Sequence, residues 1–334
     1  MNAAACRDME EFPMKYIDNQ NIMDINLNFA IEEYILTELD INETYLLFYS
    51  MTPTVIVGKN QNTLEEINLD YIRKNNVTVA RRLSGGGAVY NDEGDLSFSF
   101  ITKDDGDSFH NYKKFTEPVV RALHKMGVNA ELQGRNDLVV GGKKISGNAQ
   151  FSTRGRMYSH GTLMFDVNLE NVAKALNPDA EKYLSKGIKS VRSRVTNIRE
   201  HLAEDMDIKE FKQKLLISIF GSEDQIDEYK LTDEDWKKIH EIADKRYRNW
   251  DWVYGKSPKF NVQYKKRFPN AGTVDIRMEV KKGLIEDGII FGDFFGVGDV
   301  KDVIDLLKGV RFEYDEVDAK LSSIDVSHYF GKIT

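Results

Sequence analysis

Three consecutive glycines, Gly85–Gly87, lie between two strand-like segments and constrain the chain more than any other feature of its sequence. They belong to the run Arg81–Asp92, which opens with two arginines. Glycine adopts backbone angles forbidden to other residues and lets a ligand approach the main chain. Its successive amides can converge on an anion, and nearby arginines can form forked hydrogen bonds with phosphate oxygens. The run predicts an ordered loop for an anionic ligand; the alternative is a mobile loop.

This run differs from two common phosphate-binding motifs. A P-loop requires Gly-Lys-Ser/Thr after four spacer residues, and the dinucleotide fingerprint requires Gly-x-Gly-x-x-Gly. Neither pattern is present in Arg81–Asp92. The sequence therefore predicts a different kind of anion-binding loop.

The composition is typical of a globular protein, with 41% hydrophobic and 30% charged residues. A net charge of −8 argues against a nucleic-acid partner, because phosphate neutralisation requires clustered basic residues. No apolar stretch is long enough to span a membrane, so no membrane association is expected. The single cysteine, Cys6, excludes an internal disulfide and a cysteine zinc cluster and favours a cytoplasmic location.

Local patterns predict several elements. A helix is expected from Asn26, with Asn26 as its cap, and helical spacing predicts further helices over Leu64–Asn75 and Val300–Leu307. The β-rich segment Thr54–Val57 is expected to be a strand.

Helical and strand-like segments mix without strict β-α alternation, which indicates the α+β class. We expect an N-terminal tail at residues 1–13, a large domain over residues 14–250 and a small α/β domain over residues 256–334. The boundary is predicted near Tyr254–Pro258, where the pattern changes to short strands.

A second segment, Gly134–Gly147, has the pattern of two strands joined by a turn at Gly141-Gly142. Lys144 begins the second strand, where its fixed positive charge could stabilise charge that develops when a carboxylate attacks ATP. Asp137 could bind a magnesium ion or orient the lysine. The alternative interpretation is a solvated lysine beside a hairpin turn.

Two further segments carry polar residues. Tyr158–Phe165 contains His160, which could act as a base or line a pocket, although a lone histidine is more often structural. Gly187–Ile198 is basic and could meet substrate phosphates, or could serve as a linker into the next helix with Thr196 or Asn197 as its cap.

Taken in order, these four segments resemble the lipoate–protein ligase A family of the biotin/lipoate ligase superfamily. The resemblance covers most of Met14–Ala243 and, more weakly, Pro258–Thr334. Its motifs are Arg-Arg-x-Ser-Gly-Gly-Gly-x-Val-aromatic, Gly-Arg-Asn-Asp-Leu, Lys-Ile-Ser-Gly and His-Gly-Thr-Leu. The run Ser-Val-Arg-Ser-Arg-Val-Thr-Asn in the fourth segment is also typical of the family. One departure is Asn91, where many members have histidine. The resemblance implies a mixed sheet flanked by helices, similar to the biotin ligase core, and a small C-terminal domain.

The resemblance also implies an activity and a site. ATP and lipoate would give lipoyl-AMP, and the lipoyl group would pass to a lysine of an apo lipoyl domain, either of a 2-oxoacid dehydrogenase acyltransferase subunit or of the glycine cleavage H protein. ATP, Mg²⁺ and lipoate are expected, without a tightly bound prosthetic group. Lys144 would be catalytic, and Asp137 would be the metal ligand. The nucleotide-binding residues would be Arg82, Gly87, Ala88, Val89, Tyr90, Asn136, Asp137 and Lys144. The lipoate-binding residues would be Ser84, Gly85, Gly86 and His160.

Three alternatives remain open. An ATP-independent octanoyl or lipoyl transferase is the nearest, but some of these use a cysteine nucleophile, and Cys6 is far in sequence from the motifs. A biotin ligase would carry a Gly-Arg-Gly-Arg loop, which is missing. A non-catalytic lipoate carrier or sensor would not need both Arg82 and Lys144.

Overall fold

The computed structural model describes residues 14–176, 194–254, 262–281 and 283–331. Its strands are β1 Met14–Asp18, β2 Thr44–Tyr49, β3 Thr54–Val57, β4 Thr78–Arg81, β5 Val89–Asn91, β6 Asp95–Lys103, β7 Ala130–Gln133, β8 Asp137–Val140, β9 Lys143–Thr153, β10 Arg156–Met164, β11 Val262–Phe268, β12 Gly272–Lys281 and β13 Leu284–Gly292.

The α-helices are α1 Ile25–Glu38, α2 Thr63–Glu66, α3 Leu69–Lys74, α4 Tyr112–Lys125, α5 Leu169–Ala175, α6 Ile208–Phe220, α7 Asp233–Ile242, α8 Trp250–Val253, α9 Val300–Leu307, α10 Tyr314–Leu321 and α11 Val326–Phe330. A π-helical turn, Ala243–Tyr247, extends α7. Within the described ranges, no helix is long and apolar enough to cross a membrane.

A seven-stranded mixed sheet forms the centre of the protein, in the order β1-β2-β6-β10-β9-β8-β7. Only the β1–β2 pair in it is parallel. Side chains alternate between its faces because strands have a period of two. Phe98 and Phe100 of β6 pack in one core with α4 and α6, whereas Ile101 packs in a second core with α1 and α7. These two helical layers confirm the predicted α+β class.

A small sheet, β4-β3-β5, presents the glycine run. β3 is parallel to β4 and antiparallel to β5, so the run Arg82–Ala88 is the connection that returns the chain along the other edge of β3. Both flanks of the glycine run are therefore anchored in sheet, as the sequence predicts.

A third sheet, β11-β12-β13, is an antiparallel meander that packs with α9 around Phe294.

Several predicted boundaries need correction. Asn26 is not the cap of α1; the Asp24 carboxylate accepts the amide of Asn26 instead, at 2.9 Å. The helix predicted over Leu64–Asn75 is two helices, because Asn68 caps α3 by accepting the amide of Tyr71 at 3.2 Å. The tail at residues 1–13, most of Gly187–Ile198 and part of the predicted boundary Tyr254–Pro258 lie outside the described residues. The domain limits therefore stay predictions.

Candidate active site

A cavity of about 100 Å³ lies where the small sheet, the central sheet and the C-terminal part of the chain meet. Its wall brings together residues from the first three predicted segments: Arg82, Gly86, Gly87, Val89, Asn136, Lys144 and His160. Sequence reasoning did not predict the remaining wall, which includes Phe29, Tyr49, Asn148 and Phe295. Residues from three separate motifs therefore converge on one site.

Arg82 determines the conformation of the glycine run. Its Nη2 donates to the carbonyl oxygens of Gly85 and Gly87, both at 2.8 Å, and its Nε donates to Ser84 Oγ at 3.1 Å. Gly86 has a φ of +95°, which favours glycine. Burial lowers the pKa of Arg82 to about 10, so the side chain is still a cation at neutral pH. Arg82 therefore places a positive charge behind the loop while holding its carbonyls.

Arg81 has a different role from the phosphate contact that its sequence position suggests. Its Nη1 donates to the carbonyls of Gly58 and Gln61, at 2.9 and 2.8 Å. Its Nη2 donates to the Val253 carbonyl at 3.0 Å, and its own carbonyl accepts the Trp252 indole at 2.9 Å. The guanidinium is thus used to fix the loop after β3 against α8.

Lys144 reaches the cavity because of a β-bulge. The register between β8 and β9 shifts between Leu138 and Val139, so the Lys144 side chain lies over Gly147 although their odd spacing would place the two residues on opposite faces. A Cβ on Gly147 would lie 2.9 Å from Lys144 Nζ. Lys144 Nζ forms an ion pair of 2.8 Å with Asp137 Oδ1. The lysine and the aspartate are therefore adjacent, as predicted.

A reciprocal pair of asparagines fixes this hairpin. Asn136 Nδ2 donates to the Asn148 carbonyl at 2.5 Å, and Asn148 Nδ2 donates to the Asn136 carbonyl at 3.0 Å. A Cβ on Gly161 would lie only 2.2 Å from Asn148 Oδ1, so the glycine of the His-Gly-Thr motif makes room for this pair. The side chain of Asn136 has a structural partner here; its predicted nucleotide contact stays a prediction.

Four buried polar groups form a chain behind the cavity. Ser84 Oγ lies 2.8 Å from His160 Nε2, and His160 Nδ1 lies 2.9 Å from Glu32 Oε1. Arg82 joins the chain through Ser84. The sequence contained a signal for Glu32, since this acidic residue follows Asn28 by four positions on the otherwise apolar side of α1.

The side chains after the glycine run divide between two sides. Val89 lines the cavity, whereas Tyr90 packs into the core of the small sheet with Val55 and Val57. Ala88 contacts the same core. Burial raises the pKa of Tyr90 to about 12, and its hydroxyl accepts a hydrogen bond of 3.3 Å from Asn171 Nδ2. Only the backbone of Tyr90 is therefore available for the predicted nucleotide contact.

The C-terminal part of the chain closes one end of the cavity. The Arg135 guanidinium carbon lies 4.1 Å from the centroid of the Phe295 ring. A Cβ on Gly86 would lie 2.8 Å from Phe295 Cζ, and a Cβ on Gly85 would lie 2.4 Å from the Phe294 carbonyl oxygen. Gly85 and Gly86, which are predicted to bind lipoate, therefore also leave room for Phe294 and Phe295.

Two family models match the chain. Residues 24–220 match the lipoyl protein ligase A/B catalytic domain, and residues 257–334 match the bacterial lipoate protein ligase C-terminus. The lipoate–protein ligase LplJ of Bacillus subtilis strain 168 is 58% identical over 323 residues, which are 96% of this chain and 97% of the relative. Lipoate–protein ligase 1 of Staphylococcus aureus strain Mu50 is 54% identical over 320 residues, covering 96% and 97%.

Solved structures share the fold of this chain. The Plasmodium falciparum protein LipL1 in complex with lipoate shares the fold, with a TM-score of 0.78 at 23% identity over 94% of this chain and 95% of that one. Lipoate–protein ligase A bound with ATP aligns with a TM-score of 0.61 at 28% identity, covering 73% and 99%. A Thermoplasma acidophilum bipartite ligase, described with its E2 lipoyl domain, has a TM-score of 0.64 at 29% identity, covering 75% and 100%.

The chain therefore belongs to the lipoyl protein ligase A/B family and carries the C-terminal domain of its bacterial lipoate ligases. It is an enzyme, and its activity is that of a lipoate–protein ligase. The family predicted from the four motifs is confirmed.

Proposed function

We propose that one site performs both half-reactions of the ligase. A lipoate carboxylate oxygen attacks the α-phosphorus of ATP, forms lipoyl-AMP and displaces pyrophosphate. The carrier lysine amine then attacks the acyl carbon, forms the amide and displaces AMP. The observation that carries the proposal is the convergence of the glycine run, Lys144 and His160 on one cavity.

In this proposal, Lys144 supplies the charge that both steps require. Its Nζ would exchange the Asp137 partner for the α-phosphate and the acyl oxygen, both of which gain negative charge during reaction. The glycine run would take phosphate oxygens on its amides, with Gly87 and Val89 at the cavity wall. Gly86 and His160, which line the cavity, would lie at the lipoate end. Ser84 and Gly85, also predicted there, are not part of the cavity wall and would support that end from behind.

Magnesium would enter with ATP. Among the described residues, no group of three or more His, Cys, Asp or Glu side chains could hold a metal ion. Mg²⁺ usually keeps several waters and binds through one or two carboxylates together with substrate phosphates. Asp137, whose side chain is 38% exposed, fits as the single protein carboxylate.

The cavity must widen before both substrates fit. Ligand clefts usually measure roughly 300–1,000 Å³, whereas this one measures about 100 Å³. Phe295 closes it and belongs to the C-terminal part of the chain. We therefore propose that the C-terminal domain moves away from the glycine run when ATP enters.

The proposed acceptors are apo lipoyl domains of 2-oxoacid dehydrogenase acyltransferase subunits and the glycine cleavage H protein. The Thermoplasma ligase described with its E2 lipoyl domain supports the first of these. We also propose a cytoplasmic location, because ATP and such carriers would have to be present together.

The purified protein is expected to lipoylate an apo lipoyl domain when given ATP, Mg²⁺ and lipoate. Intact-mass measurement of the carrier would show the addition of one lipoyl group. The control omits ATP. Acyl transfer from an octanoyl carrier without ATP, together with no use of free lipoate, would contradict the proposal and indicate a transferase.

Gly87→Ala is expected to weaken ATP binding without destabilising the fold. No atom lies within 4 Å of a Cβ at this position and its φ is not in the left-handed region, so the protein itself accommodates the methyl group. That methyl would instead enter the cavity, where a ligand must approach the backbone. We expect the KM for ATP to rise about tenfold with an unchanged melting temperature. An unchanged KM would contradict the contact.

A further inference from the structure

We infer that Glu32 is a positioning residue for the ligase, acting through His160 and Ser84 on Arg82 and hence on the glycine run. The inference rests on the proposed role of that run in binding ATP. Glu32 lies on α1, in the layer on one side of the central sheet, whereas the glycine run belongs to the small sheet. The polar chain Glu32–His160–Ser84–Arg82 connects these two elements across the back of the cavity.

The polar chain Glu32–His160–Ser84–Arg82 is continuous, and its side chains are almost completely buried. Glu32 and His160 are 2% and 7% exposed, and Ser84 and Arg82 are 1% and 7% exposed. Each contact between neighbours lies between 2.8 and 3.1 Å. Buried polar groups that lose a partner lose a large part of their stabilisation, because water cannot replace it. Each member therefore depends on the next for its orientation.

The donors and acceptors are consistent along the whole chain. Arg82 has only donors, so its Nε–H donates to Ser84 Oγ. In a neutral imidazole only one ring nitrogen donates, and with Nδ1–H directed at the Glu32 carboxylate the Nε2 atom accepts from the Ser84 hydroxyl. Glu32 thus selects the tautomer that allows Ser84 to donate to His160 and accept from Arg82. Tyr158 packs against the imidazole, with ring centroids 4.6 Å apart, and limits its rotation.

The polar chain ends at the glycine run. The same guanidinium that donates to Ser84 also holds the carbonyls of Gly85 and Gly87. Glu32 also opposes the effect of burial on the pKa of Arg82. Loss of Glu32 would therefore alter the loop at a distance, without removing any group that lines the cavity.

Ser84, His160 and Glu32 have the spatial order of a serine–histidine–acid triad. Two observations favour a positioning role over a catalytic one. Ser84 is 1% exposed and is not part of the cavity wall, although His160 is. Its Oγ also accepts a hydrogen bond from Arg82, which makes the oxygen a poorer nucleophile. A catalytic serine needs an accessible oxygen.

The test is a double-mutant cycle on the full-length enzyme, measured by lipoate-dependent ATP–pyrophosphate exchange and normalised to active sites. Glu32→Ala is expected to raise the KM for ATP about 10- to 100-fold, the range for a lost buried hydrogen bond to a charged group. Glu32→Gln keeps an acceptor for Nδ1–H and is expected to stay within about threefold of wild type. Ser84→Ala combined with Glu32→Ala is expected to cost no more than Ser84→Ala alone, because both interrupt one chain.

The matched control is Glu33→Ala, the next residue of α1, whose carboxylate pairs with Arg246 at 3.0 Å; it should leave the exchange rate unchanged. If Glu32→Ala does not fold, Glu32→Asp enters the same cycle. Additive effects of the two substitutions, or a loss of active sites at unchanged KM, would overturn the inference. So would labelling of Ser84 by a fluorophosphonate, which requires an accessible nucleophile. A wild-type enzyme without exchange activity would instead reject the proposed function.

Discussion

Replacing Lys144 by alanine is expected to reduce lipoate-dependent ATP–pyrophosphate exchange by about 10²- to 10³-fold, the usual cost of removing one preorganised charge-stabilising group. The positive charge would be missing where the α-phosphate and acyl oxygen gain negative charge. Asp137 would also lose its only ion-pair partner recorded among the described residues and place uncompensated negative charge beside the substrates. Both effects act in the same direction, which is why this is the largest loss we expect.

The matched control is Lys143→Ala, the neighbouring exposed lysine on the same strand. It changes the net charge equally and should leave the exchange rate close to wild type. Thermal melting should show a folded protein for both variants, because the Lys144 side chain is 36% exposed. Wild-type exchange by Lys144→Ala would reject its proposed role.

Transfer from preformed lipoyl-AMP separates the two half-reactions. If Lys144 acts in both, Lys144→Ala should slow transfer to the apo carrier as well as adenylate formation. A variant that fails only in exchange would restrict the lysine to the first step.

Gly58→Ala is expected to abolish most activity by displacing the glycine run from behind. A Cβ at Gly58 would lie 2.1 Å from the Gly86 carbonyl oxygen and 3.3 Å from Arg82 Nη2. The first contact is with backbone, so it cannot be relieved by rotating a side chain. Displacement of catalytic groups by about 1 Å can cost roughly 10²-fold in rate. We expect a loss of at least that size in exchange activity.

Stability should change as well. Overpacking in a closely packed region usually costs about 1–3 kcal/mol, which corresponds to a lower melting temperature by several degrees. Gly87→Ala provides the contrast, because its methyl group meets no protein atom within 4 Å. Equal melting temperatures and equal activities for the two variants would contradict the steric explanation.

Several strands and helices could be predicted well because their signals are local. The strand Thr54–Val57 and the helix Val300–Leu307 have the predicted bounds. The hairpin at Gly141-Gly142 was also predicted, and both glycines have positive φ values, +56° and +75°. The split between α2 and α3 was missed because Asn68 acts as a helix cap inside a pattern with helical spacing.

The functional pairings were harder to predict. Arg81 and Arg82 are neighbours in sequence, yet one holds the loop after β3 and the other holds the glycine run. Adjacent residues point in different directions when a strand ends, and the sequence carries no sign of which one turns towards the cavity. The contact between Phe295 and Gly86 joins positions more than two hundred residues apart and left no local signal.

The sequence alone determined the α+β class, the family and the segments that build the site, because glycine spacing, strand alternation and motif order are properties of short stretches of chain. The tertiary structure decided how those segments act together. The bulge between Leu138 and Val139 turns Lys144 into the cavity, and the packing of α1 brings Glu32 to His160. Such contacts depend on long-range packing and on single buried hydrogen bonds, which no local pattern encodes.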